Sequence, residues 1–416
     1  MTVQKHHDPR SGRHTDVVMH DVSVDTTDTE PLRAVEGALA HSSPAGARRL
    51  ISELEQIEHP LARARYQSPL RYPGAKSALA PVIGRVVESA KASPAIGSVD
   101  LLVEPFAGGA SVSLRLVGAG TVERVLLADA DPLVAAFWQV AAADTEHLVE
   151  RMWDEWTRHV KPGGHVGVDR WDHWRSWTRP LGMSATDARR TDALRTLFLN
   201  RTTFSGILHG QAGPIGGRRQ TSPYGIGARW TPDALEERLR FVGHLYDTGR
   251  IVDVWCKDWR QTLDDVAEQY AQLLPSRVLA YLDPPYLEKS PKLYQRSFDP
   301  HRGYARAPVE DLHWSDWLMH YQLAEYLRRS AQFRWILSYD AHPSLTSDRW
   351  LYAADRMTPT QDNRDYLGVH TWRISKRHVT LRYSASAGAG RGPREELLLT
   401  TLPPSTVPVD HELRLL

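Results

Sequence analysis

Between Ala78 and Ala142 the apolar residues switch repeatedly between helical and strand spacing, and this alternation restricts the fold more than any other feature of the chain. It predicts a helix over Ala78–Lys91, a strand at Leu101–Glu104, a helix over Ser111–Val117, a strand at Arg124–Ala128 and a helix over Pro132–Ala142. Strands that alternate with helices pair in parallel, because each helix carries the chain back across a face of the sheet. Further strands are predicted at Ile251–Val254, Val278–Leu282, Arg334–Ser338 and Glu396–Thr400. The expected class is α/β, built on an open parallel sheet.

The flanks and the middle read differently. Residues 1–65 form an N-terminal extension: Met1–Ser43 is polar and aperiodic, as in disordered tails, and Ala45–Arg65 carries apolar residues at roughly helical spacing. The ordered chain is expected to begin near Tyr66. Between residues 145 and 245 the strand pattern lapses. Five tryptophans (Trp153, Trp156, Trp171, Trp174, Trp177) precede a predicted helix over Asp187–Leu199 and a basic, glycine-rich loop from His209 to Arg229. This stretch reads as an insertion between two parts of the sheet domain, 66–144 and 246–402, with an unstructured tail over 403–416.

With 416 residues, 41% hydrophobic and 24% charged, the chain can bury a substantial core. Its one cysteine, Cys256, excludes an internal disulfide framework and argues against a cysteine-built metal site. No apolar run reaches the roughly 20 residues of a membrane helix, and no apolar segment follows the N-terminal charges. A cytoplasmic protein without metal or membrane partner is expected, and a monomer is compatible with everything above. The net charge of +1 favours no partner, but Arg189, Arg190, Arg195, Arg201, Arg218, Arg219 and Arg229 share the central segment. Arginine suits phosphate and guanine; a solvated basic surface is the competing reading.

Chemistry concentrates where strands end. Asp283-Pro284-Pro285-Tyr286 terminates the strand at Leu282, since proline cannot continue a ladder. It offers an anionic acceptor, a stiffly held carbonyl and a ring face, which together can grip a flat amino-bearing heterocycle; the alternative is a plain strand-ending turn. Glu104-Pro105-Phe106-Ala107-Gly108-Gly109-Ala110-Ser111 joins the first strand to a helix, and its small residues permit close backbone approach of a ligand. Asp129 ends the second strand about 20 positions after that turn, where a carboxylate can bind ribose hydroxyls. Asp131 is expected to cap the helix starting at Pro132. Arg71-Tyr72-Pro73-Gly74-Ala75-Lys76 precedes the first helix. Three such strand ends in this order point to methyl transfer from S-adenosylmethionine.

With these motifs the chain resembles the Dam-type, α-class N6-adenine DNA methyltransferases, over most of Tyr66 to Thr401. The resemblance adds Phe198–Arg201 with Phe204 and Gly206, Ser222–Gly225, Lys257–Trp259, Leu323–Glu325, Ile336–Tyr339 and Glu395–Leu398. It implies a Rossmann-like S-adenosylmethionine-dependent methyltransferase sheet with an inserted, mainly helical target-recognition domain. It also implies cofactor contacts from Tyr72, Lys76, Phe106, Gly108, Asp129, Asp258, Trp259 and Asp283, and catalytic roles for Asp283, Pro284 and Tyr286. Arg201, Phe204, Ser205 and His209 match positions that touch double-stranded DNA, with Phe204 stacking or intercalating. His209 departs from the arginine usual in relatives that methylate GATC, so that target is not assigned. Restriction–modification is among the contexts such enzymes serve.

The expected reaction methylates N6 of an adenine flipped out of the duplex, since a stacked base cannot enter such a site. Asp283 and the Pro284 carbonyl would accept both N–H hydrogens, and the carboxylate would stabilise positive charge growing on N6. Tyr286 would stack on the base and align it. Two alternatives stand beside this: amine methylation of RNA or protein glutamine, and a catalytically silent DNA-binding relative.

Overall fold

A computed structural model describes residues 66–71, 76–209, 212–286, 312–342, 345, 351–352, 372–381 and 394–415. Within these, helix α1 (Ala80–Lys91) is followed by strand β1 (Leu101–Glu104), α2 (Ser111–Gly118), β2 (Arg124–Asp129) and α3 (Pro132–Ala143). The helices α4 (Thr145–Glu155), α5 (Gly164–Ser176), α6 (Ala185–Thr202) and α7 (Pro232–Asp247) precede β3 (Ile251–Cys256) and α8 (Trp259–Gln269). Then come β4 (Val278–Leu282), α9 (Leu312–Arg329), β5 (Arg334–Asp340), β6 (Ser375–Leu381), β7 (Arg394–Thr400) and β8 (Leu413–Leu415).

These strands form one sheet in the order β3-β2-β1-β4-β5-β7-β6-β8. The first five in that order run parallel, as the helix–strand alternation requires. β7 is antiparallel to both β5 and β6, and β8 is antiparallel to β6. Strand order reverses between β1 and β4, so their connections leave in opposite directions. A crevice opens at the carboxyl ends of such a pair, and ligands of open α/β sheets bind there.

Period-two alternation sends neighbouring residues of each strand into different cores. Leu102, Val125, Leu127, Leu279 and Ile336 meet α1, α3 and residues of α4 to α7 on one face. Leu101, Val103, Leu126, Ala280 and Leu337 meet α8 and α9 on the other. With both faces covered, β1 and β4 are buried along their whole length, hence their unbroken apolar sequences. The helical stretch between 145 and 245 therefore shares a core with the sheet. Leu148, Met152, Trp171, Leu197 and Leu239 join the same cluster as Val125 and Leu127.

Several expectations change. The tail over 403–416 is not unstructured: it makes a short 3₁₀ turn at Pro404–Thr406 and ends in β8, whose Leu413 is fully buried beside Val379. β2 runs one residue further than predicted, so Asp129 is its last residue rather than the first beyond it. α6 is longer at both ends than predicted, beginning after Ser184, whose Oγ accepts the Asp187 amide at 3.0 Å. The expected extension over 1–65 lies outside the described residues.

Candidate active site

β1 ends at Glu104 and passes into the glycine turn, where Gly108 and Ala110 both take left-handed backbone conformations (φ 44° and 46°). Gly108 does so at little cost, whereas alanine there is strained, so the turn is held by its surroundings. The Ala107 amide donates to Ala128 O at 2.9 Å, tying the turn to β2. Asp129 accepts the Gly108 amide through Oδ2 and the Asp131 amide through Oδ1, each at 2.8 Å. Burial and the neighbouring Asp131 push its carboxyl up to about 7. Asp131 caps α3 as expected, accepting from the Leu133 amide at 2.9 Å.

Asp283 follows β4 directly. Its Oδ1 accepts from Ser338 Oγ of β5 at 3.0 Å, and Ser338 in turn takes the hydroxyl of Tyr281 at 2.9 Å. Lys76 Nζ lies 3.2 Å from Asp283 Oδ1 and 3.5 Å from Glu396 Oε2 of β7. The ammonium also stands 4.1 Å from the centroid of the Tyr286 ring, and the Tyr286 hydroxyl donates to Glu396 Oε2 at 2.7 Å. With only 3% of Lys76 exposed, this cation is desolvated, and three partners compensate it. Burial raises the Asp283 carboxyl to about 6; Lys76 opposes the rise and Glu396 adds to it. Glu104 is pushed further, to about 8, by burial and then by the charges of Asp283 and Asp129 against the hydrogen bonding of Ser113. At neutral pH Glu104 is therefore mostly uncharged and Asp283 mostly ionised.

The other predicted site residues divide. Phe106 is half-buried and packs against the core that contains Val103 and Leu282. Pro284 is buried and Tyr286 half-buried beside the same core. Tyr72 lies outside the described residues. Asp258 caps α8, with Oδ1 accepting from the amides of Arg260 (2.9 Å) and Gln261 (3.1 Å). Trp259 is 2% exposed and packs edge-on to Tyr326 at 5.4 Å. Trp259, expected to contact the cofactor, is thus a core residue in this structure.

Arg201, expected to touch DNA, is buried as well. It is 5% exposed, and its guanidinium donates through Nε and Nη2 to Pro69 O and through Nη1 to Arg229 O. Those bonds join α6 to the segment before Lys76 and bury the side chain. Phe204 is 66% exposed on a 3₁₀ turn, with exposed Ser205 in a left-handed conformation beside it. His209 Nε2 contacts Asp131 Oδ2, which brings the basic loop against the end of β2. Of the other central arginines, Arg190 pairs with Asp144, Arg218 with Asp172, and Arg195 donates to Trp174 O; Arg189, Arg219 and Arg229 are exposed.

Sequence reasoning gave no individual role to Glu396, Ser338 or Asn200. Glu396 shares a sheet face with Leu398 and Thr400 by alternation, so an acid on a buried face was the available signal. Asn200 is fully buried; it accepts the Arg71 amide and donates to the carbonyls of Arg71 and Gly206. No signal for that bond set exists in one dimension, since Arg71 is 129 residues away. Among the described residues no group of three or more His, Cys, Asp or Glu could hold a metal ion, and no helix is long and apolar enough to cross a membrane.

Residues 72–330, more than half of the chain, match the family described as D12 class N6 adenine-specific DNA methyltransferase. A search of curated proteins found no match.

Proposed function

The chain belongs to the D12 class of N6 adenine-specific DNA methyltransferases, and on that premise we propose that its strand-end crevice moves a methyl group from S-adenosylmethionine to an adenine flipped out of double-stranded DNA. The observation that carries this reading is Asp283 itself. It is a half-buried carboxylate beside a buried lysine, followed by a buried proline and an aromatic ring.

The residues suit the cofactor. The left-handed turn at Gly108 permits close approach of a ligand's backbone-facing edge, and Asp129 presents a carboxylate at the neighbouring strand end for ribose hydroxyls. Phe106, Lys76 and Tyr72 are assigned to the same ligand. When bound, S-adenosylmethionine supplies an electrophilic methyl group on a sulfonium, a cation that the carboxylates of this crevice complement. Asp258 and Trp259 support that side indirectly, by starting and anchoring α8.

The protein's own groups then act on the base. Asp283 and the Pro284 carbonyl accept the two N6 hydrogens and favour a pyramidal nitrogen. Ser338 and Lys76 orient the Asp283 carboxylate, and its negative charge stabilises the positive charge that develops on N6. With its carboxyl near 6, Asp283 is an acceptor at neutral pH and need not deprotonate the amine beforehand. Lys76 covers one face of Tyr286, and the opposite face is assigned to the adenine. Exposed Phe204 is assigned to the gap left in the duplex, and Ser205 and His209 to its surroundings. The segment 145–245 is the proposed target-recognition part.

Purified protein, methyl-labelled S-adenosylmethionine and duplex DNA test this. Label should appear in N6-methyladenine, and Asp283→Ala should slow transfer about a hundredfold or more. Absence of transfer to duplex DNA, or transfer to RNA or protein glutamine in its place, would overturn the reading.

A further inference from the structure

We propose that Glu396 is a positioning residue for methyl transfer, holding Lys76 and the Tyr286 ring where they serve Asp283 and the target base; this rests on the site reading above. Glu396 lies on β7, opposite Asp340 of β5, and reaches the site from a strand 110 residues beyond Tyr286. Its carboxylate is buried, at 7% exposure. A buried carboxylate loses its hydration unless partners offset the loss, and an apolar residue would pack there without that cost. Among the described residues its partners include two members of the site: the Lys76 ammonium at 3.5 Å and the Tyr286 hydroxyl at 2.7 Å.

The geometry gives Glu396 two effects. Tyr286 follows two prolines at the end of β4, so the backbone that carries it is stiff, and the bond from its hydroxyl to Glu396 fixes the far edge of the ring. A base stacked on that ring inherits its orientation, and small misplacements of reacting atoms are costly in rate. The second effect is on charge. One ammonium is shared between two carboxylates at 3.2 and 3.5 Å. Without Glu396, Lys76 would belong to Asp283 alone, and a tightly paired Asp283 is a poorer acceptor for the adenine amine. The groups facing Asp283 are Lys76, Ser338 from β5, Glu396 from β7 and Glu104 at the end of β1, with Tyr281 behind Ser338. Removing the negative charge of Glu396 thus leaves Asp283 easier to ionise.

The test uses the full chain, with kcat, KM for duplex DNA and the pH dependence of kcat/KM measured for wild type, Glu396→Gln, Glu396→Ala, Tyr286→Phe and the double variant of the last two. Glu396→Gln keeps the shape, should melt within a few degrees of wild type, and should lose about tenfold in kcat with a smaller change in KM. Its acid limb should move to lower pH, a displacement that a purely structural residue would not produce. Glu396→Ala and Tyr286→Phe should be non-additive, because each removes the same hydrogen bond. An active wild type with an unmoved limb and undiminished kcat in Glu396→Gln would overturn the role of Glu396 alone. So would losses that multiply in the double variant. A wild type that transfers no methyl group to DNA would instead overturn the site reading beneath it.

Discussion

Burial pushes Asp283 up to about 6 while Lys76 pulls it back, so this carboxylate changes charge within a range that enzymes readily survive. Protonation removes the anionic acceptor. Activity should therefore be full above that value and fall on acidification through it, which a pH profile of kcat/KM for methyl transfer will show. A flat profile from pH 5 to 8 would contradict the role given to Asp283. Arg201 and Phe204, three chain positions apart, make an opposed pair. Arg201→Ala deprives the Pro69 and Arg229 carbonyls of their buried donor and should cost about 2–4 kcal/mol in chemical denaturation. Phe204→Ala removes an exposed ring, should leave stability within about 0.5 kcal/mol, and should weaken DNA binding. Both residues are equally conspicuous in one dimension. A sequence displays charge and aromaticity but not depth, so the burial of Arg201 and its bonds to Pro69 and Arg229 could not be read from it. Asp283, Gly108 and Asp129 are legible because proline or glycine punctuation beside an apolar run marks the end of a strand.

At the scale of elements, the segment entering the site and the turn bearing Phe204 are joined by one close approach. Gly206 has φ +75°, and a Cβ there would stand 2.1 Å from Arg71 O, a backbone atom that cannot swing aside. Asn200 bonds the same two places, donating to Arg71 O at 2.6 Å and to Gly206 O at 3.1 Å. Gly206→Ala should therefore displace the chain leading to Lys76, lowering both the melting temperature and the affinity for S-adenosylmethionine measured by calorimetry. Unchanged cofactor affinity would separate the two elements. The parallel strands and their helices could be read from the sequence because their apolar runs are long and buried on both faces. β6 could not, because Lys376, Arg377 and His378 hide its alternation, although Arg377 is largely buried. β8 is three residues long, too short for a period to declare itself.

For the whole molecule, the shared core matters more than the boundary drawn between sheet and helical segment. Leu148, Met152, Trp171 and Leu239 pack in the same cluster as Val125 and Leu127, so excision of residues 145–245 should open that core, above all along α3. The shortened chain is expected to lose its cooperative thermal transition; a sharp melt would show that the sheet stands alone. The sequence reads that segment as an insertion because its strand pattern lapses, and periodicity cannot tell which face a set of helices will cover. A reaction on DNA requires that both parts act on one base, with Asp283 at the end of β4 and Phe204 beyond the end of α6. The most direct test is to map N6-methyladenine in the DNA of cells expressing either the wild-type chain or Asp283→Ala. Methylated adenines in one recurring sequence context with the wild type, and none above background with the variant, are the expected result. Equal methylation with both chains, or none with the wild type, would contradict it.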